Sequence, residues 1–275
     1  MKKLTRLPSK LNKGYRRTLF ECNHTLVQDG KKLSTKYCNS RWCSTCNRMR
    51  TGKMMNAYLP IIQTMPTPLM VVVTIPNVKG SELRASLVGM NQTFTNIKRS
   101  LKRLKMPFNG IRKIECTYNV DTDTYHPHLH LILDDEHSAL MFVDGWLARY
   151  PDAVRKAQHI TRIEDADGLK EVFKYSTKLI TDIKHKKERA IIPTALDTIF
   201  NALTRMRTIQ PFGNVKQIDD ELKEVETTTY EWLEDEWNIY EWIEDNWYSC
   251  FGEPLTEFKP SHTLKSLFSR CPLPT

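Results

Sequence analysis

The stretch Tyr125-His126-Pro127-His128-Leu129-His130-Leu131-Ile132-Leu133 constrains this chain more than any other. Read with a period of two it is a β-strand, with His128, His130 and Ile132 on one face and Leu129, Leu131 and Leu133 turned to a core on the other. Two imidazoles two residues apart on one strand face are close enough to share a divalent cation. The leucine between them anchors the strand and keeps the pair aimed. A cupin-like or zinc-hydrolase strand carries the same His-x-His, so the motif by itself reads as a metal site of open kind.

The charge narrows the partner. Residues 1–216 hold 37 Lys and Arg against 18 Asp and Glu, whereas residues 217–250 hold one Lys against 12 acids. So basic a body implies a polyanion, and nucleic acid is the default candidate. At 275 residues the chain can form one large or two small domains. The longest apolar run, Leu69 to Ile75, is too short to cross a bilayer, and no apolar stretch follows the basic start. The expectation is a cytoplasmic protein with no membrane partner.

Residues 1–20 read as a basic arm carrying Lys2, Lys3, Arg6, Lys10, Lys13, Arg16 and Arg17. Residues 21–65 follow as a zinc-binding segment and helix. Cys38-x4-Cys43-x2-Cys46, with Cys22 sixteen residues upstream, has the arithmetic of a tetrahedral zinc site. His24 could replace Cys22 as the fourth ligand; the all-cysteine set is preferred. A reducing cytosol disfavours disulfides. Arg41, Arg48, Arg50 and Lys53 interleave this region and are expected to meet DNA phosphates.

Downstream, Met49, Met54, Met55, Tyr58, Leu59 and Ile62 recur at helical spacing until Pro66 and Pro68. Leu69 to Pro76 is a buried strand, and a helix capped by Ser81 runs to about Lys105. Residues 111–119 alternate as a strand, a turn spans 121–124, and the histidine strand follows. Residues 136–150 read as a helix, His159 to Ile163 as a strand, and 165–183 as a further helix. This order predicts an α+β fold over residues 66–215, the split βαβ, ferredoxin-like antiparallel sheet.

Glu115 shares a period-two set with Ile111, Lys113 and Thr117, so it is expected on the histidine face, where it could supply an oxygen ligand. Two nitrogens and a carboxylate suit Mn²⁺ or Mg²⁺ in phosphoryl chemistry as well as zinc. His126 is read as a flank of the site. On the helix at 165–183, Glu171, Tyr175 and Lys178 share one polar side.

The segments VVVTIPNV (71–78), HPHLHLIL (126–133) and EVFKYSTK (171–178), in that order, resemble the three motifs of HUH endonucleases. With the cysteine-rich start, the chain resembles the rolling-circle replication initiators of small plasmids that pair a zinc segment with one tyrosine. The resemblance covers residues 20–215 and departs at Phe212-Gly213-Asn214-Val215, where one glycine stands in place of a Gly-rich turn. It implies that His128 and His130 are metal ligands and Tyr175 is the nicking nucleophile. Glu171 would activate water in the terminating cleavage, and Lys178 would be the basic residue after the tyrosine. The implied activity is origin-specific nicking and joining of single-stranded or hairpin DNA through a 5′-phosphotyrosine link, with Mn²⁺ or Mg²⁺ at the centre and structural Zn²⁺ beside it. Host helicase and replication proteins are the implied partners. A single-tyrosine transposase or mobilisation relaxase is the alternative of the same chemistry, and a zinc-containing DNA-binding regulator without nicking activity is the alternative of another class.

Residues 216–275 form an acidic, Trp-rich C-terminal segment. Within it Thr229–Asn238 and Ile239–Tyr248 are a ten-residue direct repeat. Three readings stand: an acidic mimic folding back on the DNA-binding face, a docking helix for a host partner, or a solvated helix whose aromatics pack on the body.

Overall fold

In the computed structural model the described residues are 3–23, 25–29, 32–35, 37–163, 180–181, 192–216, 239–243, 246–249 and 252–253. In chain order the elements are α1 (Asn12–Asn23), β1 (Thr25–Asp29), β2 (Lys32–Thr35), α2 (Ser44–Gln63), β3 (Leu69–Thr74), α3 (Leu83–Arg103), β4 (Gly110–Asn119) and β5 (Thr124–Leu133). They continue with α4 (Glu136–Arg149), β6 (His159–Arg162), β7 (Ile180–Thr181), α5 (Pro193–Leu203), β8 (Ile209–Phe212), β9 (Ile239–Ile243) and β10 (Asn246–Ser249). Two compact units divide the chain, Met1–Arg50 with Leu222–Thr275 in one and Thr51–Glu221 in the other.

The second unit carries the expected α+β sheet. Its strands β3, β4, β5 and β6 lie in the order β6-β3-β5-β4, and every pair among them is antiparallel. With α3 after β3 and α4 after β5, this is the split βαβ arrangement read from the sequence. β7 and β8 both pair with β4, β7 in parallel and β8 antiparallel.

α3 forms because Leu83, Leu87, Met90, Phe94, Ile97 and Leu101 recur at spacings of three and four, and all six are buried. That stripe covers the sheet face built from Val71, Val73, Ile114, Leu129 and Leu131, all of them buried. Phe94 anchors the layer with ring contacts to Phe108 (6.1 Å), Phe142 (5.9 Å) and Phe212 (5.1 Å). The other sheet face is apolar at one end only. There Ile111 and Ile132, cross-strand partners, pack with Tyr58 and Ile62 from the end of α2.

Several sequence expectations are corrected. Ser81 does not cap α3: the cap is Glu82, whose carboxylate accepts from the Lys79 N–H at 3.2 Å. Ile180–Thr181, expected inside a helix over 165–183, is strand β7; the rest of that range, with Glu171, Tyr175 and Lys178, lies outside the described residues. Residues 12–20 of the basic arm lie in α1, with Tyr15 and Thr18 buried, because an apolar side interrupts the basic one. The second copy of the acidic repeat is no helix. Ile239–Ile243 and Asn246–Ser249 are strands, and β9 pairs with β1 in a four-stranded sheet of order β10-β9-β1-β2. Its aromatic and β-branched residues favour the pleated conformation over a helix. The first copy lies outside the described residues.

Gly213 is required where it stands. Its φ is +69°, and a Cβ there would come within 2.6 Å of the Phe108 carbonyl oxygen. Among the described residues no helix is long and apolar enough to cross a membrane.

Phe94→Ala should lower stability by about 3–5 kcal/mol, the range for a large aromatic truncated in a packed core. The shift in the urea unfolding midpoint measures it, and a loss under ~1 kcal/mol would show that the four-phenylalanine layer is not the anchor of α3.

Candidate metal centre

Antiparallel register builds the site. Glu115 of β4 stands directly opposite His128 of β5, and Lys113 stands opposite His130. Directly opposed residues share a face, so the carboxylate, the lysine and both imidazoles converge on the sheet face turned away from α3. Glu115 Oε2 lies 3.2 Å from His128 Nε2 and 3.1 Å from His130 Nε2. The potential ligand atoms of all three residues lie within 4.8 Å of one another. Neighbouring ligands around a divalent ion stand about 2.9–3.4 Å apart, whether the ion is octahedral or tetrahedral. The spacing therefore fits a metal without naming it.

The donor chemistry fits as well. His128 Nδ1 lies 3.1 Å from the carbonyl oxygen of His126; donating a proton there leaves the Nε2 lone pair for a cation. The two rings are nearly perpendicular, 75° apart with centroids at 4.9 Å. Both nitrogens of His130 are buried: Nε2 faces Glu115 Oε2 at 3.1 Å, and Nδ1 has no hydrogen-bond partner among the described residues. Burial works to raise the Glu115 pKa, but hydrogen bonds from His128 and His130 and the charge of Lys113 overrule it and hold the carboxyl well below its usual range. An ionised oxygen therefore meets two imidazoles.

Lys113 is the residue the sequence reading missed. Its side chain is only 3% exposed and forms an ion pair with the second oxygen of Glu115. The period-two set placed it on this face, yet nothing in the sequence marked its ammonium as buried. His126, read as a flank, turns aside: its Nε2 sits 2.5 Å from the Thr74 hydroxyl. Thr74 is itself buried and directly opposite His128. Burial, then the neighbouring His128, push the His126 pKa down.

In the first unit Cys22, Cys38, Cys43 and Cys46 are all buried and form a second ligand cluster. Cys22 comes from the end of α1, and Cys43 and Cys46 flank the start of α2. Cys22 and Cys46 sulfurs lie 3.4 Å apart, Cys38 and Cys46 sulfurs 3.7 Å. Thiolates about 2.3 Å from a tetrahedral zinc stand about 3.8 Å from one another, so the cluster could bind zinc. Cys22 occupies the fourth position; His24 lies outside the described residues. Of the cations expected at DNA, Arg50 donates to the Asn39 carbonyl oxygen and thereby braces the cysteine loop. Arg41 and Lys53 are half-buried.

Fold and site together define a ferredoxin-like domain with a two-histidine, one-carboxylate cluster that could hold a metal ion, in a chain that also carries a four-cysteine cluster. Residues 30–141 match the family described as Replication protein, a span that takes in Cys38, Cys43, Cys46, Glu115, His128 and His130 and covers less than half of the chain. The chain is similar to the Protein rep of Streptococcus pneumoniae serotype 2, 31% identical over 136 residues, covering 44% of this chain and 42% of that relative. It is similar also to the Protein rep of Lactiplantibacillus plantarum, 25% identical over 219 residues, covering 70% and 68%. The Protein rep of Staphylococcus aureus is 27% identical over 120 residues, covering 42% and 52%. The chain thus spans about two fifths of the first relative and half of the third. No solved structure matches it. The resemblance to rolling-circle plasmid replication initiators, drawn from the motifs, accords with these relatives.

The two clusters should separate by metal. Cys43→Ser with Cys46→Ser should abolish bound zinc, and His128→Ala should leave zinc at one per chain while weakening Mn²⁺ at least tenfold. Elemental analysis and Mn²⁺ titration read the two; zinc lost with the histidine variant would contradict the division.

Proposed function

We propose that this chain initiates rolling-circle replication of a plasmid as a metal-dependent, site-specific DNA nicking and joining enzyme. The observation that carries the reading is the convergence of Glu115, His128 and His130 on one sheet face, within a span similar to replication proteins. A divalent cation held by these three would act as a Lewis acid on the scissile phosphate. The strongly basic composition of residues 1–216 supplies attraction for the DNA.

Tyr175 is the proposed nucleophile. Its phenol oxygen bonds to phosphorus, the bond to the 3′ oxygen breaks, and the DNA is left with a free 3′-hydroxyl and a 5′-phosphotyrosine link. The phenol proton passes to the medium as the bond forms, and the leaving 3′ oxygen takes a proton from the medium to become the hydroxyl that can prime a polymerase. Tyr175 lies five residues before Ile180, a chain span of at most about 18 Å. Ile180 pairs with Tyr118, three residues along β4 from Glu115, so the tyrosine is within reach of the centre. Lys178 is proposed to offset charge on the phosphate. Glu171 is proposed to take the proton of the water that releases the DNA at termination. Arg41, Arg48, Arg50 and Lys53 remain proposed phosphate contacts, and the site of action is the cytoplasm, in company with a host helicase.

On a two-site single-stranded origin substrate, Tyr175→Phe should abolish both nicking and the covalent protein–DNA band. Glu171→Ala should still nick and still form that band, but accumulate multimeric displaced strands. A covalent band from Tyr175→Phe would contradict the nucleophile, and normal termination by Glu171→Ala would contradict the water-activating role.

A further inference from the structure

Directly beside Lys113 and Glu115, β4 carries Arg112 on the opposite face of the sheet, under α3. Its side chain is buried, with a relative exposure of 8%. The guanidinium meets only neutral partners among the described residues: the Asn91 side-chain oxygen, the Gln210 side-chain oxygen at 2.8 Å, and the Phe94 ring at 5.0 Å. Burial pushes its pKa down to about 10, so it stays charged at neutral pH. A buried cation without a carboxylate is costly unless an anion can reach it.

Arg112 forms the floor of a cavity of about 650 Å³ that Arg84, Arg99, Arg205 and Arg207 also line. Among the described residues no acidic residue and no aromatic ring lines it, and the remaining polar lining is Asn, Gln and Thr. Arg84 donates to the carbonyl oxygens of Ala202 (2.7 Å) and Thr204 (2.5 Å), which fixes the end of α5 at the rim. Arg99 and Arg205 are exposed. Arg205 stands at φ 60°, a left-handed conformation held in the short turn that presents it.

We propose that this arginine groove on the helix-covered face is a second nucleic-acid site, which grips the phosphate backbone of duplex DNA flanking the nicked strand. Arginine with Asn, Gln and Thr is the donor set that positions a duplex by its phosphates. Single-strand sites add aromatic platforms for the bases, and this groove has none. The proposal rests on the reading that the opposite, metal-bearing face takes the single strand. The protein would then hold duplex and nicked strand on opposite faces of one sheet, and the duplex contact would carry affinity without touching the chemistry.

The test compares the full chain with an Arg99→Gln, Arg205→Asn variant; asparagine tolerates the left-handed position, so charge is removed without added strain. Fluorescence anisotropy over a salt series measures binding of a ~20-base-pair duplex and of a ~10-nucleotide single strand spanning only the nick. Two lost phosphate contacts should reduce the duplex salt slope by nearly two units and duplex affinity about tenfold or more. Binding and cleavage of the short strand should not change. Arg99→Gln alone, on an exposed helix face, should show about half the slope change and serves if the double variant fails to fold. An unchanged duplex slope overturns the proposal, as does an equal loss on the short strand. Pyrophosphate or ATP that binds the wild type and not the variant, with duplex binding untouched, marks a small-phosphate site instead and also overturns it. A wild type that grips duplex through these arginines and never nicks would support the groove while refuting the nicking reading.

Discussion

The pairing of β4 with β5 sets the register on which the rest depends. With Glu115 opposite His128 and Lys113 opposite His130, one carboxylate meets two imidazoles and an ammonium on a single sheet face. A slip of β5 by one residue would turn both histidines toward α3 and away from Glu115 and Lys113. The apolar pairs hold the register. Ile111 against Ile132 is closed over by Tyr58 and Ile62, and Ile114 against Leu129 is buried under the opposite layer. One face therefore changes character along its length, apolar at the isoleucines and polar at the histidines.

Burial raises the stakes at the polar end. Lys113 is almost wholly buried, and its charge is tolerable because Glu115 pairs with it. Removing either partner would leave the other stranded in a low-dielectric setting. Lys113 holds one oxygen of Glu115 and so leaves the other, 3.1 and 3.2 Å from the two imidazoles, turned to the position a cation would occupy. In the first unit the four buried thiols interact in the same mutual way. The Cys22 thiol is pushed up, first by its hydrogen bond to Cys38, and the Cys38 thiol is pushed down by the same bond. A zinc ion would remove that conflict by holding all four as thiolates.

The alternation of Leu129, Leu131 and Leu133 made the histidine strand legible, and the same period in 111–119 put Glu115 on the correct face. The α3 stripe and the order of elements were equally plain, and together they gave the ferredoxin-like sheet. What lay beyond reach depended on partners distant in sequence. Nothing local says that β9 pairs with β1, so two of the three readings of the acidic repeat were helical, whereas its second copy supplies strands β9 and β10. Arg112 sits in the same basic strand as Lys113, yet alternation sends one to the groove and the other to the metal face. Only their packing, one under Phe94 and one against Glu115, reveals that both are buried.

The claim that Glu115, His128 and His130 form a metal centre is tested most directly by pulsed electron paramagnetic resonance of the Mn²⁺-loaded protein. Imidazole nitrogens bound to the ion couple to its electron spin, and their number can be counted. Two coupled nitrogens are expected, falling to one in His130→Ala and remaining two when the four cysteines are occupied by zinc. A spectrum with no directly bound nitrogen, or one unchanged by the histidine substitution, would contradict the account.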